Sequence, residues 1–189
     1  MKGSKLRYAV GGLQAGVLGV LGMLAVFAAA ALLNHRPWWL VPNLLATIFH
    51  GPDAYTADFT RSTQTGLAFL FLLYGSLGAV WGILWADRPL KRLWLGGAVT
   101  GYLVYLLLDL VIWKNLAPLI NLYVPEMQMR LAHLIWGIAL GQSPVYAANI
   151  RNSGRIPVRE SNVRESTLRE STVRESTVRE EPPPLPDSI

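Results

Sequence analysis

Three long stretches of the chain are almost free of charge, and they constrain its fold more than any other feature. Residues 8–33 and 62–86 contain no charged side chain, and residues 93–113 contain one, Asp109. A helix needs about 20 mostly apolar residues to cross the hydrocarbon core of a bilayer, which is about 30 Å thick. Each stretch is therefore long enough for one transmembrane helix.

A fourth span is predicted nearer the C-terminus. Residues 131–150 are uncharged, and Pro125 followed by Glu126 is a favourable start for a helix. We therefore predict a helix over residues 125–148 that bends at Pro144.

A shorter apolar segment, residues 37–50, cannot span a bilayer. We expect an interfacial or re-entrant helix there, because Trp38 and Trp39 are typical of headgroup depth. The polar side chains of this helix form one stripe at helical spacing, which consists of Asn43, Thr47 and His50.

Composition favours the same fold class. Apolar residues make up 52% of the chain and charged residues only 15%, whereas about a quarter of a soluble domain is charged. The absence of cysteine excludes a disulfide scaffold and a thiolate zinc site. We predict an all-α integral membrane protein, with a four-helix bundle over residues 1–150 and a disordered cytoplasmic tail over residues 151–189.

Basic residues indicate the orientation of the bundle. They cluster before the first span, between the second and third spans, and after the fourth, at Lys2, Lys5, Arg7, Arg88, Lys91, Arg92, Arg151 and Arg155. Short loops rich in Lys and Arg stay in the cytoplasm. Both termini are therefore predicted to be cytoplasmic, in the inner (plasma) membrane if the source is a bacterium. The first span exceeds the length of a signal-peptide core, so we expect it to be retained.

Each predicted span contains two glycines four residues apart. The pairs are Gly12 and Gly16, Gly78 and Gly82, Gly97 and Gly101, and Gly137 and Gly141. Small residues at this spacing allow two helix backbones to approach closely. We expect these pairs to be helix-packing sites.

Ionisable side chains within the spans are the candidate functional residues. Asp109 lies near the outer end of the third span, and His133 lies two turns into the fourth span from the same side. Such groups usually face a cavity or the protein interior. The predicted polar cavity is lined by Asp109, His133, Tyr102, Tyr105, Asn43, Thr47 and His50. Two interpretations stay open: Asp109 and His133 form a pair, or Asp109 faces Lys114 or headgroup water while His133 is a core histidine bonded to a carbonyl.

The tail contains a five-residue repeat. Over residues 161–180 the units are Ser-Asn-Val-Arg-Glu, Ser-Thr-Leu-Arg-Glu and Ser-Thr-Val-Arg-Glu twice. A period of five gives neither a helix nor a strand one continuous apolar side, which predicts a solvated tail. The unit resembles the pentapeptide-repeat family, whose members build a square β-helix, but its 20 residues amount to one coil. The Pro-rich end, residues 182–186, predicts polyproline II structure that could bind an aromatic groove.

No catalytic motif is present, and we expect no cofactor, no metal site and no nucleic-acid partner. The first hypothesis is a structural or interaction protein of the lipid bilayer whose tail recruits a soluble partner. The second is a subunit of an oligomeric transporter or channel, which would require a homo-oligomer, with an outward-facing cavity at Asp109 and His133. An intramembrane enzyme is the third.

Overall fold

A computed structural model describes residues 2–56, 58–85 and 90–153, and every regular element in this part of the chain is helical. The predicted all-α fold class is therefore confirmed. The repeat at residues 161–180 and the Pro-rich end lie outside the described residues.

Eight α-helices and two irregular turns follow one another along the described chain. In order they are α1 (Lys2–Leu33), α2 (Leu40–His50), a 3-10 turn (Pro52–Thr56), α3 (Arg61–Leu84), α4 (Leu90–Leu107), a π-helical turn (Leu108–Trp113), α5 (Lys114–Leu116), α6 (Pro118–Tyr123), α7 (Glu126–Leu140) and α8 (Ser143–Ser153).

Three helical segments in the described part of the chain are long and apolar enough to cross a membrane. They cover Lys5–Leu33, Arg61–Leu84 and Leu93–Leu116, and the third runs from α4 through the π-helical turn into α5. They correspond to the three stretches of the sequence that are almost free of charge.

The fourth predicted span has a different form in the structure. Instead of one helix over residues 125–148, α7 ends at Leu140 and α8 begins at Ser143. The amides of Gly141 and Gln142 bond to carbonyls three residues back, which tightens the end of α7. Pro144, which has no amide hydrogen, then falls in the first turn of α8, where that hydrogen is not needed. The break therefore precedes Pro144.

The glycine pairs show how the long helices pack. On α1, Gly12 abuts the backbone at Gly78 and Gly82 of α3, while Gly16 abuts Tyr74 and Gly78. As the residue number rises along α1, the residue number of the contacted position on α3 falls, so α1 and α3 are antiparallel. A side chain at any of these glycines would overlap the neighbouring backbone.

The same arrangement joins α4 to α7. Gly97 abuts Gly137 and Gly141, and Gly101 abuts Gly137 and the carbonyl of His133. These two helices are therefore antiparallel as well. α7 also packs along α1, with Gly19 of α1 against Trp136, and so lies between α1 and α4.

Shorter elements close one end of the bundle. α2 packs on α3 and on the 3-10 turn, and α6 contacts α2. We call this the α2 end. The opposite end, where the start of α1 meets α8, is called the α8 end.

Candidate functional site

Tyr74 of α3 and His133 of α7 meet in the core. The Tyr74 hydroxyl lies 2.7 Å from Nε2 of His133, and Nδ1 of His133 lies 2.8 Å from the backbone oxygen of Met129. Both side chains are almost fully buried. A carbonyl only accepts, so Nδ1 donates, and Nε2 of the neutral ring accepts the tyrosine hydroxyl. Both ring nitrogens are therefore satisfied within the protein.

Aromatic rings pack around this histidine. The ring centroids of Tyr74 and Tyr105 lie 5.5 Å and 5.6 Å from that of His133, and Trp136 lies 5.2 Å from Tyr74. All three contacts have the edge-to-face geometry that stabilises aromatic pairs. His133 therefore belongs to an aromatic core cluster.

A polar chain leads from this cluster to the protein surface. The Tyr105 hydroxyl donates a hydrogen bond of 3.0 Å to Oε1 of Glu126, at the start of α7. The same carboxylate oxygen forms an ion pair with Arg130, whose guanidinium lies 6.0 Å from the Tyr105 ring centroid. Glu126 and Arg130 are both exposed, so this ion pair contributes little to stability on its own.

Asp109 acts on His133 through its charge and not through a hydrogen bond. It lies on the π-helical turn and is half-buried, while the two ring nitrogens of His133 bond to Tyr74 and to the backbone of Met129. The sequence did not indicate the π-helical turn. Such turns often occur at functional sites in other proteins, because one extra residue changes the direction of the side chains that follow.

The polar stripe of α2 faces α3. The Thr63 hydroxyl donates to Oδ1 of Asn43 at 2.5 Å, and both residues are fully buried. Nε2 of His50 lies 3.1 Å from the Thr65 hydroxyl, whereas Thr47 bonds within its own helix. The structure therefore separates these α2 residues from His133. It also places Tyr102 on an exposed face, although its ring contacts Tyr105 at 5.9 Å.

The space beside His133 is small and apolar. A void of about 10 Å³ is lined by Met23, Phe27, Val41, Leu45, Leu70, Tyr74, Trp113, Ile120, Met129 and His133. One water molecule needs about 10–15 Å³ of such space. The described residues around His133 thus leave room for one water at most.

A larger cleft opens at the α2 end. It has a volume of about 270 Å³, and its polar lining comprises Asn34, Arg36, Asn121, Tyr123, Glu126 and Gln128. Arg36 donates to the backbone oxygen of Tyr123 at 3.2 Å. The Tyr123 hydroxyl lies 3.3 Å from that of Tyr55, and this hydrogen bond raises the pKa of Tyr55. Because Arg36 and Glu126 both line the cleft, it presents a cation and a carboxylate to the same space.

Sequence reasoning missed Tyr74, Thr63 and this cleft. The spacing of Leu70, Tyr74 and Gly78 on α3 was a usable signal, because residues four apart share one helix face and the glycine marks that face as packed. Arg36 and Glu126 had no such signal, since they are 90 residues apart.

Within residues 2–56, 58–85 and 90–153, no group of three or more His, Asp or Glu side chains could hold a metal ion. No family model, no curated protein and no solved structure matches the chain.

Proposed function

We propose that this chain is a multi-pass membrane protein with a structural or interaction role. Its bundle crosses the bilayer four times, both termini are cytoplasmic, and the tail over residues 151–189 recruits a soluble partner. One observation carries the membrane assignment: the long helices expose large apolar side chains on the surfaces that face away from the core. Leu72 of α3 and Leu95 of α4 are 71% and 72% exposed, and more than half of the surface of Leu103 and Leu107 is exposed as well. Surfaces of this kind require lipid or a protein partner.

The course of α7 and α8 supports a fourth crossing. Phe27 and Ala31 of α1 line the same cleft as Glu126, whereas Arg7 lines a cleft with Arg151. α7 and α8 together therefore run alongside α1 between residues 7 and 31. That length of helix measures about 36 Å, which exceeds the thickness of the hydrocarbon core. α7 alone, at about 22 Å, would be too short.

The packed interior supports a scaffold rather than a conduit. His133 is enclosed by aromatic rings, and the void beside it is about 10 Å³. The paired glycines bring the backbones of α1 and α3, and those of α4 and α7, into direct contact, so a side chain at these paired positions would not fit. We infer that the bundle holds the tail at the membrane and that recruitment takes place outside the bilayer.

Copurification tests the recruitment role. The full chain, a chain ending after Gly154, and a chain with residues 161–180 scrambled would be isolated from membranes in mild detergent. We expect one soluble partner to copurify in stoichiometric amount with the full chain and to be lost from both variants. The scrambled chain is the matched control, because it keeps the composition and charge of the tail. Equal recovery of the partner with all three chains would contradict the proposal.

The cleft of about 270 Å³ favours a second candidate, a subunit of an oligomeric transporter or channel. In this alternative the cleft is the outward-facing entrance, and Asp109 and His133 act deeper in the bundle. Ion flux into proteoliposomes that disappears with Asp109→Asn, but persists with the exposed-site variant Asp53→Asn, would favour it. Absence of flux from well-inserted protein would leave the scaffold proposal in place.

A further inference from the structure

Two arginines from different helices line one cleft at the α8 end. The cleft has a volume of about 130 Å³ and is lined by Arg7, Tyr8, Pro144, Ala147, Ala148 and Arg151. Arg7 and Tyr8 belong to α1, and the other four residues belong to α8. Among the residues that form the lining, the charged ones are both cations.

A close helix contact brings these arginines to the same level. A Cβ atom at Gly11 of α1 would lie 2.7 Å from the backbone oxygen of Ser143 and 2.8 Å from the backbone nitrogen of Ala147. The two helices run in opposite directions at this contact. One turn before Gly11 is Arg7, and one turn after Ala147 is Arg151. Because the helices are antiparallel, Arg7 and Arg151 each lie one turn from the contact between Gly11 and Ala147, on the same side of it.

The chemistry of the cleft fits a phosphate group. A guanidinium has five N–H donors in a fork that matches phosphate oxygens, so an arginine that already has one partner can bind another group. The cleft is more than ten times larger than the void beside His133, so it has room for a phosphate group. Ala147 and Ala148 keep the base of the cleft free of long side chains.

The position of the cleft favours a lipid as the source of that phosphate. Tyr8 is the first residue of the uncharged stretch over residues 8–33, so the cleft lies where the polar N-terminus meets the apolar span. On the orientation proposed above this boundary is at the cytoplasmic leaflet, which carries the anionic lipids. We propose that the cleft between α1 and α8 binds the phosphodiester of an anionic phospholipid through Arg7 and Arg151. This inference rests on the proposed membrane location.

Lipid titration followed by native mass spectrometry tests the site. The purified full chain, in a neutral detergent, would be titrated with phosphatidylglycerol and separately with phosphatidylcholine. One basic residue near anionic lipid contributes about 1 kcal/mol, a factor of about five. We expect the first phosphatidylglycerol to bind about fivefold more weakly to Arg7→Gln or Arg151→Gln, and about 30-fold more weakly to the double variant. Arg61 begins α3 and lies at the α2 end, away from the cleft. Arg61→Gln is therefore the charge-matched control and should leave binding unchanged.

Three further arms make each outcome decisive. The Arg7→Lys/Arg151→Lys variant should retain most of the preference for phosphatidylglycerol, because it keeps both charges. Excess inorganic phosphate should displace little lipid; complete displacement would assign the cleft to a soluble phosphate compound and overturn the lipid assignment. Equal phosphatidylglycerol binding by the double glutamine variant and Arg61→Gln would overturn the site itself. Resistance of the variants to alkaline extraction from membranes separates loss of this site from failure of the membrane proposal.

Discussion

The Tyr74 hydroxyl and Nε2 of His133 lie 2.7 Å apart in the core, and this hydrogen bond joins α3 to α7. The two helices otherwise make few contacts with each other, because α1 packs against both. A second buried hydrogen bond, from Nε1 of Trp81 to the backbone oxygen of Leu140 at 3.2 Å, also links the two helices, so the Tyr74 bond shares this role. It also satisfies a ring nitrogen that would be costly to bury alone.

Removal of the Tyr74 hydroxyl should destabilise the bundle. In Tyr74→Phe, Nε2 of His133 stays buried without a donor, which costs about 1–3 kcal/mol. Unfolding of the detergent-solubilised protein in a denaturing detergent, followed by circular dichroism, measures this change. Tyr102→Phe is the control, because that side chain is exposed, and it should change the free energy of unfolding by less than about 0.5 kcal/mol. An unchanged stability in Tyr74→Phe would contradict the role of the bond.

The effects of Asp109 and His133 on stability should be close to additive, because the two residues interact through charge and share no hydrogen bond. The hydrogen bonds of His133 go to Tyr74 and Met129, so Asp109→Asn removes no bond from the imidazole. We expect the unfolding free energies of Asp109→Asn and His133→Gln to add in the double variant, within about 0.5 kcal/mol. A double variant that costs much less than the sum would instead support the paired interpretation.

Two glycines on one face of α3 should respond differently to alanine. At Gly78 a Cβ atom would lie 2.5 Å from the oxygen of Gly12 and 2.8 Å from Cα of Gly16, and both are backbone atoms. Overpacking of this kind costs about 1–3 kcal/mol, so Gly78→Ala should lower the melting temperature.

The matched control is Gly75→Ala. Its Cβ atom would first meet Cδ1 of Leu13 at 3.1 Å, and that side chain is 41% exposed and free to turn aside. Alanine is better than glycine in a helix by roughly 0.5–1 kcal/mol, so this variant should be neutral or slightly more stable. Equal destabilisation by both alanines would show that backbone contact at Gly78 is not the cause.

The sequence predicted the helical fold well because its main signal is one-dimensional. An uncharged stretch such as residues 62–86 indicates a helix by length and polarity alone, and α3 occupies nearly the same residues. The end of α7 was harder to predict. Gly141 lies against the backbone of Trp94, a contact between residues 47 apart that no local pattern contains.

The candidate site was predicted less well for a similar reason. Helical spacing places His133 on the glycine face of α7, but it does not say which residue of another helix lies opposite. Tyr74 takes that position because α1 lies against both α3 and α7. Asp109 was placed at a matching depth, yet equal depth is not a hydrogen bond, since both ring nitrogens of His133 have other partners.

The tail should be dispensable for the stability of the bundle. Residues 155–189 contain no aromatic residue and no continuous apolar face, so they have little surface to bury. We expect a chain ending after Gly154 to insert normally and to melt within about 2 °C of the full chain. A large fall in the melting temperature would indicate that the repeat packs on the bundle.

Cysteine accessibility in intact cells tests the central claim most directly, because the chain has no cysteine of its own. Single cysteines at Lys5, Asp58, Asn121 and Ser153 would be treated with a membrane-impermeant maleimide before and after the cells are opened. Four crossings with cytoplasmic termini predict labelling of Asp58→Cys and Asn121→Cys in intact cells, and of Lys5→Cys and Ser153→Cys only in opened cells. Labelling of Ser153→Cys in intact cells would contradict the account, since α7 and α8 would then not complete a fourth crossing.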